Sequence, residues 1–184
     1  MCLVHNPCMK PRVLALAALL AGTCALTAGP ALAMGSGNPY VDQQVGVGYT
    51  VYQPSYTAGL KTPTTANNPT CPEGTDQSLL VAYGTKKTKQ FTVTEGKPMC
   101  ADIGEGTTVL TTTIKGVKAV VVAYCDPGKA CTKADVKKYG GNLNMTLPAV
   151  KPLTSTILWV ETAGQHKLTA AQLVLIAKSM KPVG

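Results

Sequence analysis

The stretch TTVLTTTIKGVKAVVVAYC, residues 107–125, decides the class of fold that this sequence can adopt. Two runs of β-branched and small apolar residues are separated in it only by Lys115 and Gly116. Valine and threonine favour strands, and glycine supplies the positive φ that a tight turn needs. The stretch therefore predicts an antiparallel β-hairpin. Because residues 119–123 are continuously apolar, we expect the second strand to be central and covered on both faces.

Further short β-like runs lie on both sides of this hairpin. Together with the hairpin itself, they are residues 45–56, 78–83, 90–94, 107–114, 117–125, 143–147, 156–161 and a short run near 166–168. Phe91 and Val93 alternate with threonines, as in a strand with one face toward water. The run 143–147 ends before Pro148 and is predicted to be an edge strand.

The C-terminal segment has the clearest helix signals. Thr169 and Gln172 have the spacing of a capping box, in which each side chain satisfies a free amide at the helix start. One apolar stripe follows at helical spacing: Leu173, Ile176, Ala177 and Met180. Pro182 prevents continuation of the helix. We expect the stripe to cover the sheet near Trp159. Residues 133–139 predict a second, short helix.

These elements predict an α+β fold, a curved antiparallel sheet of about 6–7 strands with a C-terminal helix packed on one face. The length of 184 residues suits one modest domain, and the 45% hydrophobic content excludes a disordered chain. We expect a flexible segment at 34–44 and a single domain at 45–184. Within it, residues 61–72 combine proline, threonine and asparagine, which predicts an exposed loop.

Residues 1–33 have the pattern of a secretory signal peptide, and this predicted signal helix precedes the domain. A positively charged start is followed by an apolar run and by an A-x-A exit formed by Ala31 and Ala33. The pattern predicts cleavage after Ala33, so that the exported chain begins at Met34. The only long apolar stretch of the sequence is this leader, which excludes a multi-span transporter.

Three alternatives to this reading of the leader stay open. Translation from Met9 would give a more usual signal-peptide start than the eight residues before it. Cys24 could instead mark a lipoprotein signal, although Thr23 fits that pattern poorly. A retained membrane anchor is the third alternative, and the break at Gly29 and Pro30 disfavours it.

Four cysteines remain after removal of the leader: Cys71, Cys100, Cys125 and Cys131. An even number of cysteines in an exported chain predicts two disulfides. Cys125 and Cys131 bracket a turn-prone loop that brings its ends together, so we pair them with each other and Cys71 with Cys100. Zinc is the alternative use, but no C-x-x-C spacing supports it.

The net charge of +8 falls by two when the leader with Lys10 and Arg12 is removed. Arg12 is the only arginine, so the positive charge of the exported chain comes from lysine alone. Since arginine is the residue suited to base-edge contacts, we expect no specific nucleic-acid binding. Weak attraction to an anionic cell envelope is the alternative to a plain solvated surface.

Five segments carry a resemblance to a known family. They are VYQPSY at 51–56, LVAY at 80–83, IKGVKA at 114–119, LWVE at 158–161 and the helix-forming run 168–180. In this order they resemble a bacterial exported domain of unknown function, found in lipoprotein-like proteins and anti-sigma-factor-like regulators. The resemblance implies a curved antiparallel sheet with a helix against it, akin to periplasmic lipid-handling half-barrels. It implies no catalytic residues, and neither the cysteines nor the 61–72 loop belongs to its pattern.

No catalytic, cofactor-binding or metal-binding residues are predicted. His166 is the only histidine after the leader, and the sequence lacks the G-x-S-x-G, P-loop and G-x-G-x-x-G motifs. Asp102 and Glu105 lie in a glycine-rich turn without EF-hand spacing, which favours a plain turn over a calcium site. Trp159 is expected in the core, with stacking on a ligand as the alternative.

Two classes of function therefore remain for a protein that is secreted or held in the bacterial envelope. The first is a non-enzymatic module that binds a protein or an apolar ligand, including a lipid carrier. The second is a hydrolase with an unrecognised active site. An acid–histidine cluster in a pocket would favour the enzyme, and an apolar groove would favour binding.

Overall fold

The hairpin predicted from residues 107–125 forms in the computed structural model, with Lys115 and Gly116 at its tip. Their φ values of 51° and 79° are both positive, as the favoured two-residue hairpin turn requires. The described residues are 35–61, 66–67, 78–96, 106–126 and 128–183. The predicted signal peptide and its cleavage residues Ala31, Ala33 and Met34 therefore lie outside the described part.

Seven antiparallel strands form the main sheet. The strands in chain order are β1 (Tyr52–Pro54), β2 (Ala66–Asn67), β3 (Leu79–Gly84), β4 (Gln90–Gly96), β5 (Thr107–Ile114), β6 (Val117–Ala123), β7 (Gly141–Leu147), β8 (Thr156–Ala163) and β9 (Met180–Pro182). The main sheet has the order β2-β3-β4-β8-β7-β6-β5, while β1 pairs with β9 separately. The helices are α1 (Pro39–Gly46), α2 (Asp135–Tyr139) and α3 (Ala170–Ser179). This arrangement confirms the predicted α+β class with its antiparallel sheet and C-terminal helix.

Helix α3 has the start and the buried face that the sequence predicts. The Thr169 hydroxyl accepts a hydrogen bond from the Gln172 amide, and the Gln172 side chain accepts one from the Thr169 amide. The whole predicted stripe is fully buried: Leu173, Ile176, Ala177 and Met180. It joins a core that includes Leu158 and Val160 of β8. The helix therefore covers the sheet, as expected.

Trp159 is not the residue that this helix covers. Leu158 and Val160 point to the helix side of the sheet and are fully buried, whereas Trp159 between them is partly exposed and lies outside the core cluster. Side chains of a strand alternate between the two faces, so Trp159 must point to the opposite face. The prediction of a core tryptophan beneath the helix was wrong.

The N-terminal segment differs from the predicted flexible stretch at 34–44, because residues 39–46 form helix α1. Asn38 caps this helix by accepting a hydrogen bond from the Tyr40 amide, and Pro39 occupies the first turn, where proline costs no hydrogen bond. The Tyr40 side chain is fully buried. Gln43 is also buried, so two side chains anchor a segment that has no sequence periodicity.

Three strand predictions need correction. Strand β7 lies between β6 and β8 in the interior of the sheet and is not an edge strand. The predicted strand at 166–168 is only an isolated bridge between Lys89 and His166. On β6, Val121 is buried but Val120 and Val122 are half-buried, so only one face of this strand is fully covered.

The disulfide between Cys125 and Cys131 is present as predicted, with their Cα atoms 6.2 Å apart. Cys71 and Cys100 lie outside the described residues, as do Asp102 and Glu105. Of the predicted exposed loop at 61–72, only Lys61 and β2 are described, and β2 pairs with β3. Among the helices that are described, none is long and apolar enough to cross a membrane.

Candidate binding site

A groove of about 690 Å³ lies between α3, α2 and β5, and we call it the apolar groove. Its apolar lining consists of Leu110, Ala134, Ala170, Ala171, Val174 and Leu175. The remaining lining residues are Lys133, Lys137 and Thr169. The groove thus combines apolar walls with two lysines.

The α3 wall of the apolar groove exists because this helix is apolar on more than one side. The buried stripe faces the sheet, which leaves Ala171, Val174 and Leu175 on other faces of the helix. Val174 is half-buried and Leu175 is 47% exposed. A leucine so exposed on a surface helix is not needed for the core, and here it borders a concave surface.

The α2 wall is held by contacts on both sides of the helix. The Thr132 amide and hydroxyl both donate to Asp135 Oδ2, at 2.8 and 2.7 Å. Val136 is fully buried and anchors the helix to the core. The Cys125–Cys131 disulfide ties the preceding loop to the end of β6. Lys133 in the turn before α2 and Lys137 within α2 both line the apolar groove.

A second cavity of about 600 Å³ shares Lys137 and Thr169 with the apolar groove, and we call it the basic pocket. Its basic side chains are those of Lys89, Lys137, Lys167 and His166. Its other lining residues are Thr88, Gln165, Thr169 and Gln172. Among the residues that the structure describes, no acidic side chain lines either cavity.

The basic pocket is built where the turn between β3 and β4 meets the segment after β8. The His166 amide donates to the Thr88 carbonyl at 2.8 Å, and the Gln165 amide donates to the Lys86 carbonyl at 3.2 Å. Gly164 permits this approach, because a Cβ there would lie 3.0 Å from the Thr88 oxygen and its φ is +82°. These contacts bring lysines of two distant segments to one cavity.

A separate polar cluster lies in the core around Glu95 of β4, which is fully buried. Its Oε2 accepts a hydrogen bond from the Tyr52 amide at 2.9 Å, while Oε1 has no hydrogen-bond partner among the described residues. The hydroxyls of Tyr40 and Tyr83 are hydrogen-bonded to each other at 2.9 Å. Glu95 lines neither the apolar groove nor the basic pocket.

Burial governs the protonation of this cluster. Loss of solvation raises the pKa of Glu95 well above its ordinary value, and the hydrogen bond from the Tyr52 amide only partly opposes this rise. Burial also raises the pKa of Tyr83 to about 12, although its hydrogen bond with Tyr40 lowers it and the nearby Glu95 raises it. Burial therefore favours the neutral form of Glu95 and of Tyr83.

The face of the sheet that carries Trp159 also has a hydrogen-bonded network. The Tyr124 hydroxyl donates to Glu161 Oε1 at 3.0 Å and accepts from Asn142 Nδ2 at 2.9 Å. Burial raises the pKa of Tyr124 to about 12, the Asn142 hydrogen bond lowers it, and Glu161 raises it. This network satisfies its own polar groups and orders the strand face.

Sequence reasoning identified neither cavity as a site. His166, the only histidine after the leader, is exposed and lines the basic pocket together with lysines. The signal that could have revealed the apolar groove is the pair Val174 and Leu175, which are apolar yet fall outside the predicted stripe. The lysines of the basic pocket carry no such local signal.

Comparison with known proteins gives no match to this chain. No family model matches it, and neither a curated protein nor a solved structure shows significant similarity.

Proposed function

We propose that this chain is a non-enzymatic binding module, exported from a bacterial cell, that holds an apolar ligand in the apolar groove. The observation that carries the proposal is the groove itself, with its apolar lining from α3, α2 and β5. Its volume of about 690 Å³ falls within the range of small-molecule sites, about 300–1,000 Å³.

An apolar ligand fits this site better than a hydrolase substrate does. Within the described ranges, neither cavity brings a carboxylate to His166, and the buried Glu95 lines neither of them. Apolar walls without paired acid and base supply binding energy but no group for proton transfer. The resemblance to lipid-handling half-barrels with a curved sheet points to the same class of ligand.

Export to the cell exterior or the envelope belongs to the same proposal. It rests on the leader at 1–33 and is supported by the Cys125–Cys131 disulfide, since structural disulfides persist in oxidising compartments. Because this disulfide closes the loop before α2, it would also keep the α2 wall of the apolar groove in place outside the cell.

Titration with Nile red, a neutral apolar dye, tests the proposal. The dye is expected to bind with a dissociation constant on the order of 10 μM, as about 0.3 kcal/mol per heavy atom would give. Its fluorescence should rise and shift to the blue. Leu175→Gln should weaken binding about fivefold, because roughly 1 kcal/mol of apolar contact is lost.

Val150→Gln is the matched control for this variant. Val150 is 45% exposed, close to the 47% of Leu175, and it does not line the apolar groove. The control should bind the dye like the parent. Failure of the parent to bind Nile red, or equal loss in both variants, would overturn the proposal and leave a protein partner as the occupant of this surface.

A further inference from the structure

The apolar groove and the basic pocket meet at two residues. Lys137 of α2 and Thr169 at the start of α3 line both cavities. The two cavities are therefore adjacent, with Lys137 and Thr169 at their common border. One end of this combined site is apolar and the other is basic.

Three lysines border the basic pocket, and each comes from a different element. Lys89 follows the turn between β3 and β4, Lys137 belongs to α2, and Lys167 precedes α3. In the described part of the chain, only Lys129 and Asp126 form a salt bridge. The charges of the three pocket lysines are thus not neutralised by a described carboxylate.

The lysines supply ammonium donors to the basic pocket, beside the side chains of Thr88, Gln165, His166 and Gln172. Lys167 Nζ donates one hydrogen bond, to the Gly164 carbonyl at 2.6 Å, and an ammonium group has three donors. The Gln172 amide and the Thr169 amide are both used by the capping box of α3. An anion in this pocket would accordingly meet lysine ammonium groups, whereas the backbone amides of Thr169 and Gln172 already have acceptors.

We propose that the two cavities form one amphipathic site for a single anionic amphiphile, with its chain in the apolar groove and a phosphate headgroup held by Lys89, Lys137 and Lys167. This inference rests on the proposed function and adds the chemistry of the headgroup. A phosphate monoester carries a charge of about −1.5 to −2 and three acceptor oxygens, which matches several lysines better than a carboxylate does.

The test compares two ligands with the same chain and different heads. Binding of decyl phosphate and decanol, both below their aggregation concentrations, is measured by displacement of Nile red. The parent should bind decyl phosphate about tenfold more tightly than decanol, and added salt should reduce this preference because the lysines are solvent-accessible. Equal affinities would overturn the inference while leaving the proposed function intact.

A charge-matched pair of variants assigns the preference to the pocket. Lys89→Gln/Lys167→Gln changes two lysines that line the basic pocket and not the apolar groove. This variant should lose about tenfold in affinity for decyl phosphate and keep the affinity for decanol. Lys118→Gln/Lys178→Gln removes two exposed lysines that line neither cavity, and it should behave like the parent. Equal losses in the two double variants would mean that net charge alone attracts the ligand, which contradicts the inference.

Two further probes separate the sources of the phosphate. Inorganic phosphate should displace decyl phosphate only weakly, because it lacks the chain. If inorganic phosphate binds as tightly as decyl phosphate, the basic pocket is a site for free anions and the inference fails. Vesicles containing phosphatidylglycerol should bind less well than monomeric decyl phosphate, and the reverse order would identify a membrane surface as the partner instead. Failure to bind decanol would count against the proposed function itself.

Discussion

Glu95 brings a carboxyl group into the core, where water does not solvate its charge. The groups that face it are the Tyr52 amide and the hydroxyl groups of nearby tyrosines, with charge interactions to Tyr40, Tyr52 and Tyr83. No described cation lies near the Glu95 carboxylate to offset its charge. The protonated carboxyl is therefore more stable than the carboxylate at this site. The consequence is a stability that depends on pH.

The sign of this dependence follows from the raised pKa of Glu95. A carboxyl whose pKa is raised on folding stabilises the protein below its ordinary pKa of 4.5, and this stability is lost as the pH rises toward the folded-state value. The free energy of unfolding of the parent should therefore decrease between pH 5 and pH 8. Urea denaturation at both pH values, followed by Trp159 fluorescence, measures it.

Glu95→Gln should remove this decrease and make the protein more stable than the parent at pH 8. The amide keeps the shape and carries no charge. Glu161→Gln is the matched control, because Glu161 lies on β8 and is partly exposed; it should retain the decrease of the parent. A parent whose stability does not fall over this range would contradict the buried-charge account.

Helix α3 is the element that serves both the fold and the candidate site. Its buried stripe completes the core, and its remaining apolar residues line the apolar groove. The capping box fixes where the helix begins and so places Thr169 at the junction of the two cavities. Packing on the sheet thus holds the binding surface in a defined position.

Truncation of the stripe should cost far more stability than loss of the cap. Ile176→Ala should lower the free energy of unfolding by about 2–5 kcal/mol, because Ile176 is fully buried. Gln172→Ala should cost only about 1 kcal/mol, since one cap contact is lost. Leu175→Ala on the exposed side should change stability by less than about 0.5 kcal/mol. Guanidinium denaturation compares the three; an Ile176→Ala variant as stable as the parent would show that the stripe is not core.

The predicted export concerns the whole molecule, and one experiment tests the cleavage site and the disulfides together. Protein recovered from the culture medium should begin at Met34 by N-terminal sequencing. Peptide mapping without reduction should show the pairs Cys71–Cys100 and Cys125–Cys131. The longer bridge should contribute roughly 3–4 kcal/mol through loop closure. A mature chain that retains residues 13–33, or a different pairing of the cysteines, would contradict this prediction.

The features that the sequence by itself determined depend on residues close together in the chain. The positive φ values at Lys115 and Gly116, the capping box at Thr169 and the Cys125–Cys131 bridge each involve only a few neighbouring positions. Local sterics and hydrogen bonds fix such features whatever the rest of the chain does. The number and type of most elements followed from the same signals.

Tertiary structure alone decided which face of each strand is buried and which strands are central. Strand β8 has apolar side chains on both faces, so its sequence does not indicate whether Leu158 or Trp159 contacts the helix. A shift of one residue in strand register would exchange the two faces. The interior position of β7 depends on its pairing with β6 and β8. The basic pocket likewise combines lysines from segments that are far apart in the sequence. Because these lysines meet only after folding, no local sequence pattern reveals the pocket.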